Sequence, residues 1–449
     1  MTASAVSTST SSSGTSRKSG TSRFGNATHL SCRECGQTYE LGATHVCAEC
    51  FGPLEVAYDL PRLTRADIEA GPDSIWRYAS LLPVPPDVAS GPNTEPGWTR
   101  LVRADQLARA VGMRSLWVKD ERANPTHSFK DRVVAVALAA ALELGFKVLA
   151  CPSTGNLANA VAAAAARAGI RSVVLIPADL EPQKILGTAI YGGTLVAVDG
   201  SYDDVNKLAS ELADDREDWA FVNVNVRPYY AEGSKTIGFE IAEQLGWRLP
   251  EQVVVPVASG AQLVKVDKAF RELTALGLVP ETSNTGVTGC KVFGAQAEGC
   301  SPVASAFSAG LDVVQPVRPA TVAKSLAIGN PADGPYVLDV VRRTGGAVAA
   351  VTDAELVDAI RLLAATEGIF AETAGGVTLA VLRKLLAAGQ LDPDAETVII
   401  NSGDGLKTLD AVAPTIPPIQ PIRPTLAAFA AHEAQVITGT SAQRAGEQS

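Results

Sequence analysis

The stretch Asn124-Pro-Thr-His-Ser-Phe-Lys-Asp-Arg132 decides how this chain of 449 residues is interpreted. It follows the apolar run SLWVKD (115–120), which predicts a strand, and it leads into DRVVAVALAAALELG (131–145), which predicts a helix ending at Gly145. Lys130 therefore stands where a strand delivers a ligand and a helix N-terminus stabilises anions. A partly desolvated lysine at such a place can form a Schiff base, and a solvated surface lysine is the alternative interpretation.

Strand and helix patterns alternate on both sides of this stretch, from Thr99 to about Val412. This alternation predicts an α/β protein whose parallel sheets are covered by helices on both faces. Ligands in such folds lie at the carboxyl ends of the strands. The predicted strands are KVLACPS, SVVLIP (172–177), TLVAVDG, AFVNVN, QVVVPV, KVFGAQ and TVIINSG.

Three further polar motifs follow predicted strands, and each has an ordinary structural alternative as a capped helix or a glycine turn. Small side chains and backbone N–H groups before a helix suit a carboxylate or a phosphate, and a serine hydroxyl at a strand end can hydrogen-bond a heterocyclic nitrogen. The motifs are Ser153-Thr154-Gly155-Asn156, Ser259-Gly260-Ala261-Gln262 and the serine of NSGDGLK, Ser402.

Four of the seven cysteines form a separate pattern near the N-terminus, C-x2-C-x11-C-x2-C. Four thiolates at this spacing can surround one zinc ion tetrahedrally with no open position, so the predicted role is structural. Two redox dithiols and an iron centre of the rubredoxin type are the alternatives. The predicted ligands are Cys32, Cys35, Cys47 and Cys50.

Composition restricts the class of protein. Hydrophobic residues make up 46% of the chain and the net charge is −10, which allows a large core and argues against a broad nucleic-acid-binding surface. The apolar run 133–142 is too short to span a bilayer, and the Ser/Thr-rich N-terminus lacks the apolar core of a secretory signal. We therefore expect a cytoplasmic enzyme with no membrane or nucleic-acid partner.

Taken together, NPTHSFKDR, PSTGN, the small-residue loop after VVVPV and NSGDGLK resemble, in this order, the fold-type II pyridoxal-phosphate enzymes. Within that group the pattern is similar to the threonine synthases, as are the segments EGSKTIGFE, AIGNP and EGIFAETAGG. A four-cysteine ribbon followed by GPLEV resembles one long branch of that family, and the resemblance covers about residues 30–412.

The resemblance implies two parallel-sheet α/β domains preceded by a small zinc ribbon. The large cofactor-binding domain would comprise 98–145 and 246–412, and the small domain 146–245. The remaining predicted segments are a disordered tail (1–28), the ribbon (29–58), a connector (59–97) and a C-terminal tail (413–449).

The resemblance also implies a role for each motif. Lys130 would hold pyridoxal 5′-phosphate as a Schiff base, Asn156 would bind the pyridoxal O3′ and Ser402 would meet the pyridine nitrogen. The loop at 259–262 would hold the cofactor phosphate, and the residues 153–155 the substrate carboxylate. The implied reaction converts O-phospho-L-homoserine and water to L-threonine and phosphate in a homo-oligomer.

Three departures from the family pattern keep alternatives open. His127 occupies the usual glycine of NPTGSFKDR, the phosphate loop is ASGAQ, and the segment 223–230 (NVNVRPYY) places Arg227 or Tyr230 where an arginine usually helps to bind the substrate phosphate. One alternative is β-replacement on a phosphorylated amino acid, such as the synthesis of cysteate from O-phosphoserine and sulfite. The other is a non-catalytic protein whose zinc ribbon contacts a partner.

Overall fold

The computed structural model describes residues 23–93, 95–153, 155–178, 182–200, 202–280 and 289–434. Thr154, residues 1–22 of the predicted N-terminal tail and residues 435–449 of the predicted C-terminal tail lie outside this part of the chain. The described residues up to Thr408 form one compact unit, and those from Leu409 form a second. None of the described helices combines the length and apolar character needed to cross a membrane.

The described strands fall into three sheets. In chain order they are β1 (Ala27–Cys32), β2 (Thr38–Tyr39), β3 (Leu54–Tyr58), β4 (Arg100–Arg103), β5 (Leu116–Asp120), β6 (Val148–Pro152), β7 (Arg171–Pro177), β8 (Thr194–Val198), β9 (Trp219–Phe221), β10 (Gln252–Pro256), β11 (Lys291–Ala297), β12 (Val348–Val351) and β13 (Thr397–Asn401).

Helices separate most of these strands. They are α1 (Arg65–Glu69), α2 (Asp105–Val111), α3 (Lys130–Glu143), α4 (Asn156–Ala168), α5 (Pro182–Ala189), α6 (Tyr202–Asp215), α7 (Arg227–Glu232), α8 (Lys235–Gln244), α9 (Ala261–Ala275), α10 (Pro302–Ser308), α11 (Gly334–Thr344), α12 (Asp353–Glu367), α13 (Thr373–Ala387) and α14 (Leu409–Val412).

The N-terminal sheet carries the four cysteines and is antiparallel, with the strand order β2-β1-β3. Its first strand begins at Ala27, before the predicted start of the ribbon at residue 29. Phe24 is buried and stacks on Tyr229, with 5.2 Å between the ring centroids. The ribbon unit therefore begins earlier than its cysteine spacing suggests, because apolar side chains before the first cysteine pack against α7.

The sheet of the small domain has the order β8-β7-β6-β9, and every pair in it is parallel. The strand predicted over AFVNVN ends at Phe221. Asn225 explains the early end, since its side chain accepts a hydrogen bond from the Phe221 amide and donates one to the Trp219 carbonyl. The chain thereby folds back at once and begins α7 at Arg227.

The large sheet has the order β12-β11-β10-β13-β5-β4 and is parallel except for the edge pair of β4 with β5. This confirms the predicted parallel α/β architecture, although β4 and β12 were not predicted. The four residues of β4, RLVR, include no buried side chain, so they carry no apolar signal. Because β13 lies between β10 and β5, the loops that follow these three strands meet at one edge.

The second unit includes the predicted C-terminal tail, residues 413–449, and its described residues, 409–434, are partly helical. It contains α14, a proline-rich stretch without regular structure and a helical segment over the described residues 426–434. Ile419 and Leu426 are 91% and 90% exposed.

Small residues bring α7 close to α3. A Cβ atom on Gly233, which follows α7, would lie 2.6 Å from the Cα of Val133 and 2.7 Å from the carbonyl oxygen of Arg132. Only glycine fits between these backbones. This close approach places Tyr230 of α7 next to the first turn of α3.

A cluster of four buried charges lies below the start of α3. Arg132 pairs with Glu121 at 2.6 Å and with Glu240 at 2.5 Å, and Lys119 pairs with Glu240 at 2.6 Å. All four side chains are fully buried, and two cations balance two carboxylates. Burial acts to raise the pKa of Glu240, but Arg132 and Lys119 outweigh it and lower the pKa to about 2.

We expect Glu240→Gln to lower the free energy of unfolding by about 3–5 kcal/mol, because it leaves two buried cations with one carboxylate. Urea denaturation measures this loss. Glu211→Gln is the control, since its pair with Lys207 is exposed and 3.9 Å apart, and we expect a change within about 0.5 kcal/mol. The stabilisation from Glu240 is complete above its ordinary pKa of 4.5 and is lost as the pH falls towards 2. Equal stability of the two variants would contradict the role given to Glu240.

Candidate active site

Lys130 is the first residue of α3, as its flanking patterns predicted to within one residue. Its loop is hydrogen-bonded to the loop after β13: the Phe129 amide donates to the Ser402 carbonyl at 3.0 Å, and the Asp404 amide donates to the His127 carbonyl at 3.0 Å. The structure thus brings together two motifs that are far apart in sequence. The side chain of Lys130 is half-buried, and its amine donates a hydrogen bond to the Tyr230 hydroxyl at 3.1 Å.

The two residues that follow Lys130 are each held by buried partners, Asp131 by Thr126 and Arg132 by the ion cluster. The buried carboxylate of Asp131 accepts hydrogen bonds from the Thr126 amide at 2.8 Å and from the Thr126 hydroxyl at 2.9 Å. Arg132 enters the buried ion cluster described above. Burial raises the pKa of Asp131 to about 6 against the effect of the Thr126 donors. Because Asp131 and Arg132 are both held by buried contacts, the backbone of Lys130 is fixed at the start of α3.

His127 has a left-handed backbone with φ of 62°, and its side chain is exposed. Glycine adopts this conformation without a steric penalty, which explains why the family pattern has glycine at this position. The ring Nδ1 lies 3.3 Å from the Arg122 carbonyl oxygen. The departure from the pattern therefore carries a local backbone cost, and the exposed ring contacts the Arg122 carbonyl.

Glu372 joins two predicted cofactor-binding residues and was not assigned from the sequence. Its carboxylate accepts a hydrogen bond from the Asn156 amide at 2.8 Å and another from the Ser402 hydroxyl at 2.7 Å. The residue precedes α13 and is buried. The segment EGIFAETAGG was the only signal for it, and nothing in that segment indicates a contact with residues 156 and 402.

The loop after β10 leads into α9 and has the properties of an anion site. Gly260 is the N-cap residue of α9 with φ of 100°, and no side chain caps this helix. The first N–H groups of a helix have no acceptor within it, so they face the loop with the positive end of the helix dipole. The buried side-chain amide of Gln262 finds no hydrogen-bond partner for its Nε2 among the described residues.

The predicted carboxylate site lies at the end of β6. Ser153 is buried, and its hydroxyl lies 3.4 Å from the Gly155 amide. Gly155 is the N-cap residue of α4, which has no side-chain cap among the residues that the structure describes, and Asn156 is the first residue of that helix. Thr154, between them, is outside the described residues.

The two residues predicted to bind the substrate phosphate face different partners. Tyr230 contacts Lys130, whereas Arg227 donates to the carboxylate of Asp333 at 2.6 Å. Asp333 lies against the anion loop, because its amide donates to the Ser259 carbonyl at 2.8 Å. No sequence pattern marks Asp333, which is a single acidic residue directly before α11.

The four predicted metal ligands come together in the ribbon, with their sulfur atoms all within 4.8 Å of one another. Sulfur–sulfur distances are 3.5 Å for Cys32 with Cys50 and 3.6 Å for Cys35 with Cys47. A tetrahedral zinc ion with zinc–sulfur bonds of ~2.3 Å requires separations of ~3.8 Å. The donor set therefore fits zinc. A hydrogen bond from Tyr39 lowers the pKa of the Cys47 thiol to about 6, which favours the thiolate.

The residues at the strand ends also fit a phosphorylated, heterocyclic aldehyde. The α9 loop offers backbone donors and the unpartnered Gln262 amide to a phosphate. A Cβ atom on Gly260 would lie 2.7 Å from the buried Val337 side chain, so only glycine lets this loop pack against the start of α11. An amine, an amide and a hydroxyl, on Lys130, Asn156 and Ser402, supply the covalent and hydrogen-bonding groups that such a molecule needs.

This fold and site define the class of protein. A family model described as pyridoxal-phosphate dependent enzyme matches residues 93–403, and the chain belongs to this family of enzymes. A second model, described as NinF protein, matches residues 31–55, the segment with the four cysteines.

Within this class the chain belongs to the threonine synthases. It is 37% identical over 386 residues to a threonine synthase of Methanocaldococcus jannaschii, which covers 85% of this chain and 93% of that protein. It is also 37% identical over 384 residues to a threonine synthase of Methanosarcina acetivorans, covering 84% of this chain and 92% of the relative.

Solved structures support the fold. A pyridoxal 5′-phosphate-dependent aspartate racemase has a TM-score of 0.59 at 21% identity, covering 76% of this chain and 95% of the other. The processed form of threonine deaminase isoform 2 from Solanum lycopersicum has a TM-score of 0.58 at 21% identity, covering 73% and 86%. At this identity the likeness concerns the arrangement of the chain.

We expect Gly260→Ala to weaken cofactor binding about tenfold or more, since the new methyl group meets Val337 at 2.7 Å and the backbone has φ of 100°. Gly277→Ala is a matched control just beyond the other end of α9: its φ is 68°, but no atom of the described residues lies within 4 Å of the added atom. Titration of each apoprotein with pyridoxal 5′-phosphate, followed by absorbance, gives the two dissociation constants. Equal constants would contradict the placement of the anion site.

We expect Cys47→Ser to lose zinc and to destabilise the ribbon, because structural zinc contributes on the order of 10 kcal/mol to the folding of such a unit. Metal content by plasma mass spectrometry and thermal unfolding measure the two effects. Cys300→Ser, a buried cysteine outside the cluster, should retain the metal. A Cys47→Ser variant that keeps its zinc and its melting temperature but loses turnover would overturn the structural role.

Proposed function

We propose that this protein is a lyase that converts O-phospho-L-homoserine and water to L-threonine and phosphate. The observation that carries the proposal is the amine of Lys130, held at 3.1 Å from the Tyr230 hydroxyl between the Asn156–Glu372–Ser402 chain and the anion loop. Membership of the threonine synthases supports the same reaction.

The proposed cofactor contacts follow the positions of the side chains. Lys130 holds pyridoxal 5′-phosphate covalently, and residues Ser259, Gly260, Ala261 and Gln262 hold its phosphate at the start of α9. Asn156 and Ser402 would bind the polar atoms of its ring, and Glu372 accepts a hydrogen bond from each of them through its two carboxylate oxygens. When bound, the cofactor supplies an electron sink for the negative charge that develops on the substrate carbons.

Lys130 is the proposed proton carrier. Once its amine is free, it removes the Cα proton and then a Cβ proton of the substrate, because this amine lies at the start of α3 beside the loop that follows β13. The Tyr230 hydroxyl accepts a hydrogen bond from this amine and keeps it directed into the site. The C–O bond at the γ-carbon breaks as phosphate leaves, and that carbon takes up one proton. Water then gives its hydroxyl group to the β-carbon and its proton to the released phosphate, and the Lys130 amine returns a proton to the α-carbon.

The proposed substrate contacts lie on two sides of Lys130. Ser153, Gly155 and the uncapped start of α4 bind the carboxylate, together with Thr154, which lies outside the described residues. Arg227 binds the phosphate, and Tyr230 contacts the reacting end. The two poles of the substrate thereby meet positively polarised groups.

The proposal also includes a structural zinc ion on the four ribbon cysteines, a cytoplasmic location and assembly as a homo-oligomer. The sulfur geometry supports the zinc. The exposed Ile419 and Leu426, at 91% and 90%, support a self-association surface in the C-terminal unit. The acidic net charge of −10 is typical of a cytoplasmic enzyme that does not bind nucleic acid.

We expect the purified protein to release threonine and phosphate in equal amounts from O-phospho-L-homoserine, and Lys130→Ala to abolish this turnover while keeping the fold by circular dichroism. Arg62→Gln, an exposed change in the connector, is the control and should be fully active. Activity of Lys130→Ala would contradict the assignment. If the native protein releases nothing but still shows the cofactor chromophore, turnover of O-phosphoserine with sulfite would indicate the β-replacement enzyme instead.

A further inference from the structure

The ribbon contributes a charged residue to the edge of the active site. Arg33 lies between two metal ligands, Cys32 and Cys35, and its guanidinium stacks on the Tyr336 ring at 3.4 Å from the centroid. Its Nη1 lies 3.5 Å from one carboxylate oxygen of Asp333. The neighbouring Glu34 accepts a hydrogen bond from the Tyr336 hydroxyl. The turn at residues 32–35, called the metal knuckle below, therefore packs on the start of α11 through both of the residues between its cysteines.

Asp333 joins this knuckle to the site. One of its oxygens faces Arg33, the other accepts from Arg227 at 2.6 Å, and its amide donates to the Ser259 carbonyl of the anion loop. One carboxylate thus holds two arginines that are almost two hundred residues apart in sequence. Neither arginine has another carboxylate within ion-pairing distance in the part of the chain that the structure describes.

The charge of this group favours a further anion. Two guanidinium groups face one carboxylate within ion-pairing distance. Glu34 is exposed and bonded to Tyr336, and Glu55, which also interacts with Arg33, is paired with Lys265 and Lys268. The Arg33 and Arg227 side chains are 18% and 22% exposed, so they are partly desolvated and remain accessible. Arginine pairs of this kind suit the oxygen atoms of a phosphate ester.

Helix geometry sets the distance from the reacting centre. Arg227 and Tyr230 are three residues apart on α7, which places them on one face about 5–6 Å apart. Because Tyr230 contacts the Lys130 amine, an anion at Arg227 lies about one helical turn from that amine. A phosphate on the γ-carbon of an amino acid can occupy this place while its α-carbon is at Lys130.

We propose that Arg33 of the ribbon and Arg227 of α7 bind the substrate phosphate together, with Asp333 holding both guanidinium groups in position. This inference rests on the proposed function and deepens it. The ribbon is then part of the active site, and Arg33 is a residue that selects phosphorylated substrates. The cofactor phosphate, whose proposed loop adjoins Asp333, is the other phosphate ester that the same chemistry could recognise.

The test is Arg33→Gln in the cofactor-loaded enzyme. We expect KM for O-phospho-L-homoserine to rise about tenfold to hundredfold with kcat nearly unchanged, as for the loss of one charge-assisted interaction. Binding of inorganic phosphate, followed by phosphorus NMR titration, should weaken by a similar factor. The cofactor dissociation constant, zinc content and melting temperature should equal those of the native protein.

Two matched variants separate charge from structure. Arg33→Lys should recover part of the phosphate affinity, and Arg23→Gln, a 78% exposed arginine just before the ribbon, should behave as the native protein. Unchanged phosphate binding in Arg33→Gln would overturn the inference, and so would weaker cofactor binding or loss of zinc. If the native enzyme fails to turn over O-phospho-L-homoserine, the proposed function fails, but the phosphate titration of the Arg33 variants still decides the role of this pair.

Discussion

The buried contact of Arg132 with Glu121 and Glu240 is the interaction on which the rest of this active site depends. Glu240 also accepts hydrogen bonds from the amides of Trp98 and Thr99, so one carboxylate joins α8, the residues just before β4, β5 through Lys119, and the first turn of α3. An uncompensated charge at this depth is very costly, so these segments can pack in only one register. This packing sets the position of Lys130, because Lys130 is two residues from Arg132 in the first turn of α3.

Parallel topology then collects the functional groups that this register orients. β5, β10 and β13 are neighbours in the large sheet, and β6 is central in the small one, so their carboxyl ends open towards a common space. Side chains that bridge the loops complete the arrangement. Glu372 joins Asn156 to Ser402, and Asp333 joins the ribbon to α7 and the anion loop.

The sequence was sufficient for what local patterns encode. Apolar periodicity located α3, β6 and β10, and the positions of Lys130, Gly260 and the four cysteines followed from strand–turn–helix signals and ligand spacing. Glu372 and Asp333 could not be found in this way, because their roles come from partners up to 300 residues away and single acidic residues carry no periodic signal. Strand β4 was not predicted for another reason. It is an edge strand with no buried residue, so it lacks the apolar run that marks the other strands.

The central place of β13 in the large sheet has a consequence for synthesis of the protein. β13 lies between β10 and β5 but is the last of the described strands along the chain. Until translation has passed residue 401, the growing polypeptide holds two separated halves of a sheet and exposes two unpaired edges. The small domain, whose strands are contiguous, can fold early, whereas the catalytic centre forms only on a nearly finished chain. A polypeptide whose synthesis stops before residue 401 therefore exposes aggregation-prone strand edges and lacks the Ser402 loop that completes the site.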